Sequence, residues 1–552
     1  MIVTGGRMFE PDELDQLWDA VIVGTGVGGA TLGLALAQAG QRVLFIEKGR
    51  SHLGNARSTR GVYAEIGFPK PLAPQPEHRD MLASAGRYPE LVEDGSKKRT
   101  TRFVPFIGSG TGGSSALYGM AMERFFPADF APRQRFLEAS ESTLPEHWPI
   151  SYAQLAPYYN AAEELFRLRG TRDPLRAEHD AVELMAPPPL TPVAADLVDF
   201  LGAKGMHPYR LPMACEFVDG CETCQGYLCA KNCKNDASRI CLAPALAEHG
   251  ARLLDECEVL HLEASRTAVT GLVCRWHGAE RTLRGKRVIL AAGALETPRI
   301  LLGSASADWP DGLANDSGLV GKNLMRHHID LYLIDPKVKG EFDNRRKEFA
   351  FNDFYLHDGQ KLGSVQSFGR LPPASVLNAS LADDLRQGPV PWTASLLPLA
   401  KPFLAPTLAN MVGKRMILAT TLEDLPYADN AVSLPGQEGG ANGARLSLTY
   451  RVRRSDKARI VRFRRHMKQL LKPYSFSIVK QAENNQRIAH VCGTCRFGSD
   501  PATSVLDANN RAHGITNLYV VDASFFPSSG GTNPSLTIAA NALRVAAHLI
   551  ES

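Results

Sequence analysis

Apolar and polar positions change period several times along the chain. Ala20–Val23 is an apolar run of buried-strand length that ends in glycines. Small and apolar residues from Ala30 to Ala39 then follow a helical pattern, and Gly40 stands where a helix C-cap falls. Val43–Ile46 is a second strand-length run, ending at Glu47. Ser51 to Thr101 is polar and irregular, which predicts a long excursion over the surface. Phe103–Phe125 brings Gly108, Gly110, Gly112 and Gly113 together with Ser109, Thr111, Ser114 and Ser115 in a loop bounded by apolar residues. Trp148–Asp173 has helical spacing, with Ser151 as N-cap and Gly170 as stop, and Pro187, Pro188, Pro189 and Pro192 mark a boundary. Strand patterns follow at Val259–Leu262 and Leu272–Trp276. Val288–Leu290, Ala291–Gly293 and Glu296–Leu302 then read as strand, turn and helix. From Leu331 to Ile478 the alternation in LYLID, SVQSF and RLSLTY predicts a mostly antiparallel sheet. Asn517–Ile550 closes the chain with a strand, a glycine-rich turn and a long apolar helix.

Length, charge and cysteine content bound this picture. A chain of 552 residues exceeds one ordinary core, so at least two domains are expected. A formal net charge of +4 gives no case for a nucleic-acid partner or an anionic membrane. The N-terminus lacks the pattern of a signal peptide, and no stretch reaches the roughly 18 apolar residues of a membrane span. A cytoplasmic enzyme is the expectation. The apolar segment Ala394–Leu418 carries Lys401, Lys414, Arg415 and three prolines and reads as buried or substrate-facing.

The glycines carry the first chemistry. Gly24, Gly26 and Gly29 have G-x-G-x-x-G spacing, with Gly28 beside them, between a predicted strand and helix. The first makes a tight turn, the second lets backbone approach a pyrophosphate, and the third lets helix and strand pack closely. The helix N-terminus offers free N–H groups to that pyrophosphate. Glu47, followed by Lys48, lies 18 residues after Gly29, near the spacing at which an acid meets ribose hydroxyls. A dinucleotide is therefore the expected ligand. The Gly112, Gly113, Ser114, Ser115 loop allows close approach to a flat ring or a phosphate.

The sequence resembles the glucose–methanol–choline (GMC) flavoprotein oxidoreductases nearly end to end. The likeness is carried by GTGVGGATLGLALAQAG with Glu47, GTGGSSALYGM, WPISYAQLAPYY, AAGALETPRILLGS, GLVGKNLMRH, HVCGTCRFG and NLYVVDASFFPSSGGTNPSLTIAANALRVA. The resemblance implies FAD as the dinucleotide and oxidation of an alcohol CH–OH group. It also implies an α/β chain, α+β overall, with a Rossmann-like FAD-binding domain and an inserted substrate domain on a mostly antiparallel sheet. The FAD domain is then discontinuous, at 1–50, 101–125, 215–325 and 486–552. Residues 51–100 form an excursion partly covering the cofactor, and 126–214 with 326–485 form the substrate domain. Carried over by motif, His490 and Asn533 match the active-site pair. Asp522, Ala523, Asn533, Pro534 and Thr537 match the C-terminal flavin segment, Ala292 and Gly293 the second glycine turn, and Val259 the adenine end. Some relatives bond flavin covalently through a histidine in the glycine–serine loop. Here Ser115 is followed by Ala116 and Leu117, so non-covalent FAD is expected. An asparagine that many relatives have near this point is replaced by Leu117 or Tyr118.

Oxidising an alcohol by hydride transfer to flavin N5 requires its hydroxyl proton to leave. A neutral His490 is suited to accept it, with Asn533 hydrogen-bonding the same oxygen. His261, His327, His328 and His513 read as structural or surface residues. Cys221, Cys224, Cys229 and Cys233 have C-x2-C-x4-C-x3-C spacing, with Cys215 and Cys241 nearby. The expectation is free thiols in a loop near the flavin. The alternatives are an iron–sulfur cluster passing electrons to a protein or quinone acceptor, and zinc or disulfides. Cys492 and Cys495 form a C-x-x-C without a thioredoxin-like surround, so no redox role is expected. A non-catalytic flavin-binding protein is disfavoured because both His490 and Asn533 are present. The substrate is a small-molecule alcohol. Its identity, the choice between oxygen and another acceptor, and the oligomeric state have no motif here.

Overall fold

The structure is a computed structural model that describes residues 14–68, 76–97, 100–176, 182–338, 346–357, 359–369, 371–373, 377, 414–436, 444–484, 488 and 490–552. The expected apolar segment Ala394–Leu418 lies outside the described residues up to 413.

Five parallel strands organise the first domain. Along the chain, β1 is Leu17–Val23, β2 Val43–Ile46, β3 Arg252–Leu254, β4 Cys257–Ala264, β5 Val269–Trp276, β6 Ala279–Leu290 and β7 Leu518–Val520. The parallel order is β3-β2-β1-β6-β7. The long β6 serves two neighbourhoods. Its second half pairs with β1 from Leu17↔Arg284 to Val23↔Leu290, and its first half joins the antiparallel meander β4-β5-β6. Helices α1 (Val27–Gln38), α2 (Tyr152–Leu165), α3 (Gly293–Leu302) and α4 (Ser535–Glu551) flank this sheet. α1 is apolar around most of its circumference because it is enclosed by the sheet on one side and α4 on the other.

A six-stranded, wholly antiparallel sheet forms the second layer, in the order 476–480, 327–334, 416–423, 363–367, 349–351 and 209–210. Helices Pro192–Ala203 and Arg454–Leu470 bury Leu197, Leu201, Ile460, Phe463 and Met467 against it, making a separate core. The mixed α/β class and the antiparallel second sheet are as the sequence pattern predicts.

Three expectations are corrected. The stretch from Ser51 to Thr101 is not all irregular: it holds helix Pro76–Ser84 and strand Leu91–Asp94. That strand pairs with Thr101–Phe103 and Ala444–Thr449, with Val92 fully buried, so four residues of alternation among charges hide a sheet member. α2 ends at Leu165, not at Gly170. Ser151 caps it by accepting from the Gln154 N–H, but Arg167 has φ 53°, which turns the chain out of helix. Helix Arg454–Leu470 also interrupts the region read as sheet.

Candidate active site

A cavity of about 600 Å³ starts at the C-terminal ends of β1, β2 and β6 and continues to one face of the antiparallel sheet. That volume is ordinary for a ligand site. At its first end the turn after β1 is shaped by contacts only glycine permits. Gly24 has φ 99°, and a Cβ there would stand 2.4 Å from the Ala291 carbonyl oxygen. A Cβ on Gly28 would stand 2.1 Å from the Val521 carbonyl oxygen. At Gly26 the Cβ direction has nothing within 4 Å, which leaves open space at the N-terminus of α1. Free N–H groups beside open space are what a pyrophosphate requires.

Glu47 ties this turn to the second glycine loop. Its carboxylate accepts from Thr25 N (3.1 Å) and Oγ1 (2.7 Å), Gly49 N (2.9 Å) and Gly110 N (3.1 Å). A Cβ on Gly113 would come within 3.1 Å of Gly26 Cα, so the two glycine loops meet edge to edge. Ser115 Oγ donates to the Gly112 carbonyl (2.6 Å) and accepts from Ala237 N (3.0 Å). Beside them Lys48, Arg299 and Arg445 surround Glu296. Burial alone would raise its pKa, but these three cations hold its carboxyl well below the usual range. Asp522 accepts from Gly293 N (3.0 Å), Thr297 Oγ1 (2.6 Å) and Ser524 N (2.8 Å), clamping the C-terminal segment to the start of α3.

The far end holds His490, on a left-handed backbone with φ 59°. Such conformations cost about 1–3 kcal/mol and concentrate at functional sites. His490 Nδ1 lies 2.8 Å from His327 Nδ1, and His327 Nε2 faces the carbonyl oxygens of Gly530 (2.9 Å) and Ser529 (3.2 Å). Two carbonyls can only accept, so His327 Nε2 carries its proton. Burial holds the His327 pKa at about 4, so the ring is neutral and its Nδ1 accepts. The His490 Nδ1–H must therefore donate, which leaves His490 Nε2 with a free lone pair. Burial, with help from His327 and Lys347, keeps the His490 pKa well below the usual value, so this base is unprotonated at neutral pH. Asn533 Oδ1 is buried without a hydrogen-bond partner among the described residues, as are Gln366 Oε1 and Thr421 Oγ1, and all three residues line the same cavity.

Most residues expected from sequence meet in this cavity: Gly24, Gly26, Gly28, Glu47, Lys48, Gly113, Ser114, Ser115, Val259, Ala292, Gly293, Asp522, Ala523, Asn533, Pro534 and His490 line it. Gly29, Gly112 and Thr537 do not. Gly29 packs under Gly24, where a Cβ would come 2.1 Å from the Gly24 carbonyl oxygen. Gly112 turns against Asp236 and Ser238, and Thr537 Oγ1 bonds Tyr159 Oη at 2.7 Å in the core. The expectation that His327 is merely structural is corrected, because it holds His490. His328 and His513 stay structural, bonded to the Ala482 carbonyl and to Ser504. Sequence reasoning also missed Gln366, Thr421 and Lys347, which no motif marks.

All ten cysteines are free. Cys215, Cys221 and Cys233 converge, with Sγ separations of 3.7 Å (215–221) and 3.4 Å (221–233), and Cys229 lies 3.6 Å from Cys233. Gln225 and Gly226 of this loop line the cavity. Burial raises the thiol pKa of Cys492 and Cys495, consistent with unreactive core residues.

The turn after β1, its facing glycine loop and the Asp522 clamp together have the geometry of a dinucleotide-binding site. Comparison with known proteins agrees. An FAD-binding-domain profile matches residues 19–80, and GMC oxidoreductase profiles match 200–329 and 426–542. The chain is 29% identical to paromamine 6'-oxidase of Streptomyces fradiae, covering 96% of this chain and 91% of that protein. It is 27% identical to 2-methyl-1,2-propanediol dehydrogenase of Mycolicibacterium austroafricanum, covering 95% and 94%. The crystal structure of pyridoxine 4-oxidase from Mesorbium loti superimposes with a TM-score of 0.63 at 20% identity, covering 96% and 99%. The chain belongs to the GMC oxidoreductase family and is an FAD-dependent oxidoreductase.

Proposed function

We propose that this protein oxidises an alcohol CH–OH group to an aldehyde or ketone with non-covalently bound FAD. The observation that carries the reading is the His490–His327–carbonyl chain, which presents an unprotonated Nε2 to the cavity that the dinucleotide turn opens into. The residues present fit FAD. All of them line one cavity: Gly26, with open space at its Cβ position, would leave room for the pyrophosphate, Glu47 and Val259 would hold the adenosine end, and Gly113–Ser115 with Asp522–Ala523 would flank the flavin. Ala116 and Leu117, after Ser115, offer no nucleophile for a covalent bond to flavin.

When bound, the flavin supplies the two-electron acceptor. The protein's own part is to handle the proton. His490 Nε2 takes the hydroxyl proton, and the Nδ1–H to His327 becomes a charge-assisted bond as the ring turns cationic. Asn533, whose buried Oδ1 has no partner among the described residues, orients the same oxygen with its amide. Both an oxidase and a dehydrogenase are among the similar proteins, so the acceptor is oxygen or another species. Ten free thiols fit the reducing conditions of a cytoplasmic location. Replacing His490 with Ala should leave FAD bound while slowing anaerobic flavin bleaching by an alcohol panel about a hundredfold or more. Bleaching at the parental rate would remove His490 from the mechanism.

One observation favours a second reading, a dehydrogenase that passes electrons through an iron–sulfur cluster. Four cysteines gather in the loop that supplies Gln225 and Gly226 to the cavity wall. Their sulfurs are in contact, however, and ligands on separate irons lie farther apart, so cluster binding would require this loop to open.

A further inference from the structure

The substrate end of the cavity has an unusual charge balance. Register places Ile329 and Ala419 on the same sheet face as Leu331, Thr421 and Gln366, an apolar surface carrying two unpartnered oxygens. Into this space projects Lys347, which is 91% buried. Its Nζ stands 5.3 Å from the Phe368 ring centroid and against Gly119, where a Cβ would come within 2.5 Å. Gly119 thus makes room for the ammonium. Among the described residues, no carboxylate pairs with it. The acids that line the cavity belong to its other end and are already engaged: Glu47 by four donors, Glu258 and Glu296 by Arg445, and Asp522 by Gly293, Thr297 and Ser524. Lys347 is close enough to His490 for its charge to oppose protonation of that ring. Burial alone pulls the Lys347 pKa down, to about 8, so the group is still mostly cationic at neutral pH.

We propose that Lys347 makes this site select alcohols that also carry an anionic group, in the simplest case a carboxylate, over alcohols that carry an ammonium. The inference rests on the alcohol-oxidation reading of the same cavity and names the substrate class within it. A buried cation without a counter-ion is electrostatically incomplete, and an anionic substituent completes it. The same charge repels an ammonium in a space where, among the described residues, no acid offsets it. The apolar wall receives the carbon body of the substrate, so the fitting molecule is a hydrophobic alcohol that also carries a carboxylate.

The test uses the FAD-loaded enzyme and three para-substituted benzyl alcohols bearing a carboxylate, a neutral carboxamide and an aminomethyl group. Binding is read from the perturbation of flavin absorbance, and oxidation separately from anaerobic bleaching. The carboxylate should bind at least about tenfold more tightly than the aminomethyl compound. Lys347→Met should collapse that ratio while leaving carboxamide binding within about threefold, and Lys347→Glu should invert it. Flavin spectra and FAD content establish that each variant is folded. A parental enzyme that prefers the aminomethyl compound, or binds none of the three, overturns the proposal, as does a Lys347→Met ratio equal to the parental one. Charge-selective binding without bleaching would support the Lys347 assignment and instead sink the alcohol-oxidation reading.

Discussion

Replacing His327 with Phe removes the acceptor at 2.8 Å from His490 Nδ1 and leaves the Gly530 and Ser529 carbonyls without their donor. The kinetic consequence follows from the proton step. As His490 Nε2 takes the hydroxyl proton, the bond from Nδ1–H becomes one from a charged donor, worth about 1.5–3 kcal/mol. Its loss at the transition state corresponds to a factor of about 10 to 150 in rate. Ground-state binding of FAD should be unaffected, because neither ring touches the Gly24–Gly28 turn. The assay is stopped-flow anaerobic flavin reduction at saturating alcohol, with FAD content measured on the same samples. His327→Asn is the rescue variant, since its amide presents an acceptor to one side and a donor to the other, and it should recover most of the loss. Reduction by His327→Phe at the parental rate, or an equal loss in both variants, would show that the His490 tautomer is set some other way.

Two further outcomes are expected. Burial holds His327 at about 4 and His490 well below 6.5 in the folded state, while both rings titrate near 6.5 when unfolded. The unfolded chain therefore binds more protons in this window. The contribution of these rings is fully present above pH 6.5 and lost as the pH falls toward 4, by roughly 3 kcal/mol for His327 alone. Thermal unfolding between pH 7.5 and 4.5 should fall less steeply in His327→Asn than in the parent, and equal slopes would contradict the assignment. Iron and acid-labile sulfide in protein purified without oxygen should be substoichiometric. Three or more irons per chain, with a brown colour lost on Cys233→Ser, would instead establish the cluster.

The first end of the site was legible because its residues act through backbone. A glycine that must avoid the Val521 or Ala291 carbonyl leaves a fixed signature whatever surrounds it, so Gly24 and Gly28 could be read directly. His490 and Asn533 were legible only through the resemblance, since one histidine among fifteen carries no local mark. The rest was hidden in pairing. Gln366 and Thr421 face the cavity because of strand register, which is set between segments more than fifty residues apart. His327 sits beside another histidine in the sequence, and only the fold decides that it, rather than His328, reaches His490. Lys347 lies in a stretch of charged residues with no motif, and its burial is a tertiary fact.

The contact between Gly28 and Val521 has a consequence for how the site would come apart. The outer wall of the turn after β1 is the Val521 carbonyl, held beside β7, and β7 is the edge strand of the parallel sheet, paired within it with β6 alone. Detachment of β7 would therefore open the turn while β1 and β2 stay paired, so the turn would loosen before the strands on which it is built.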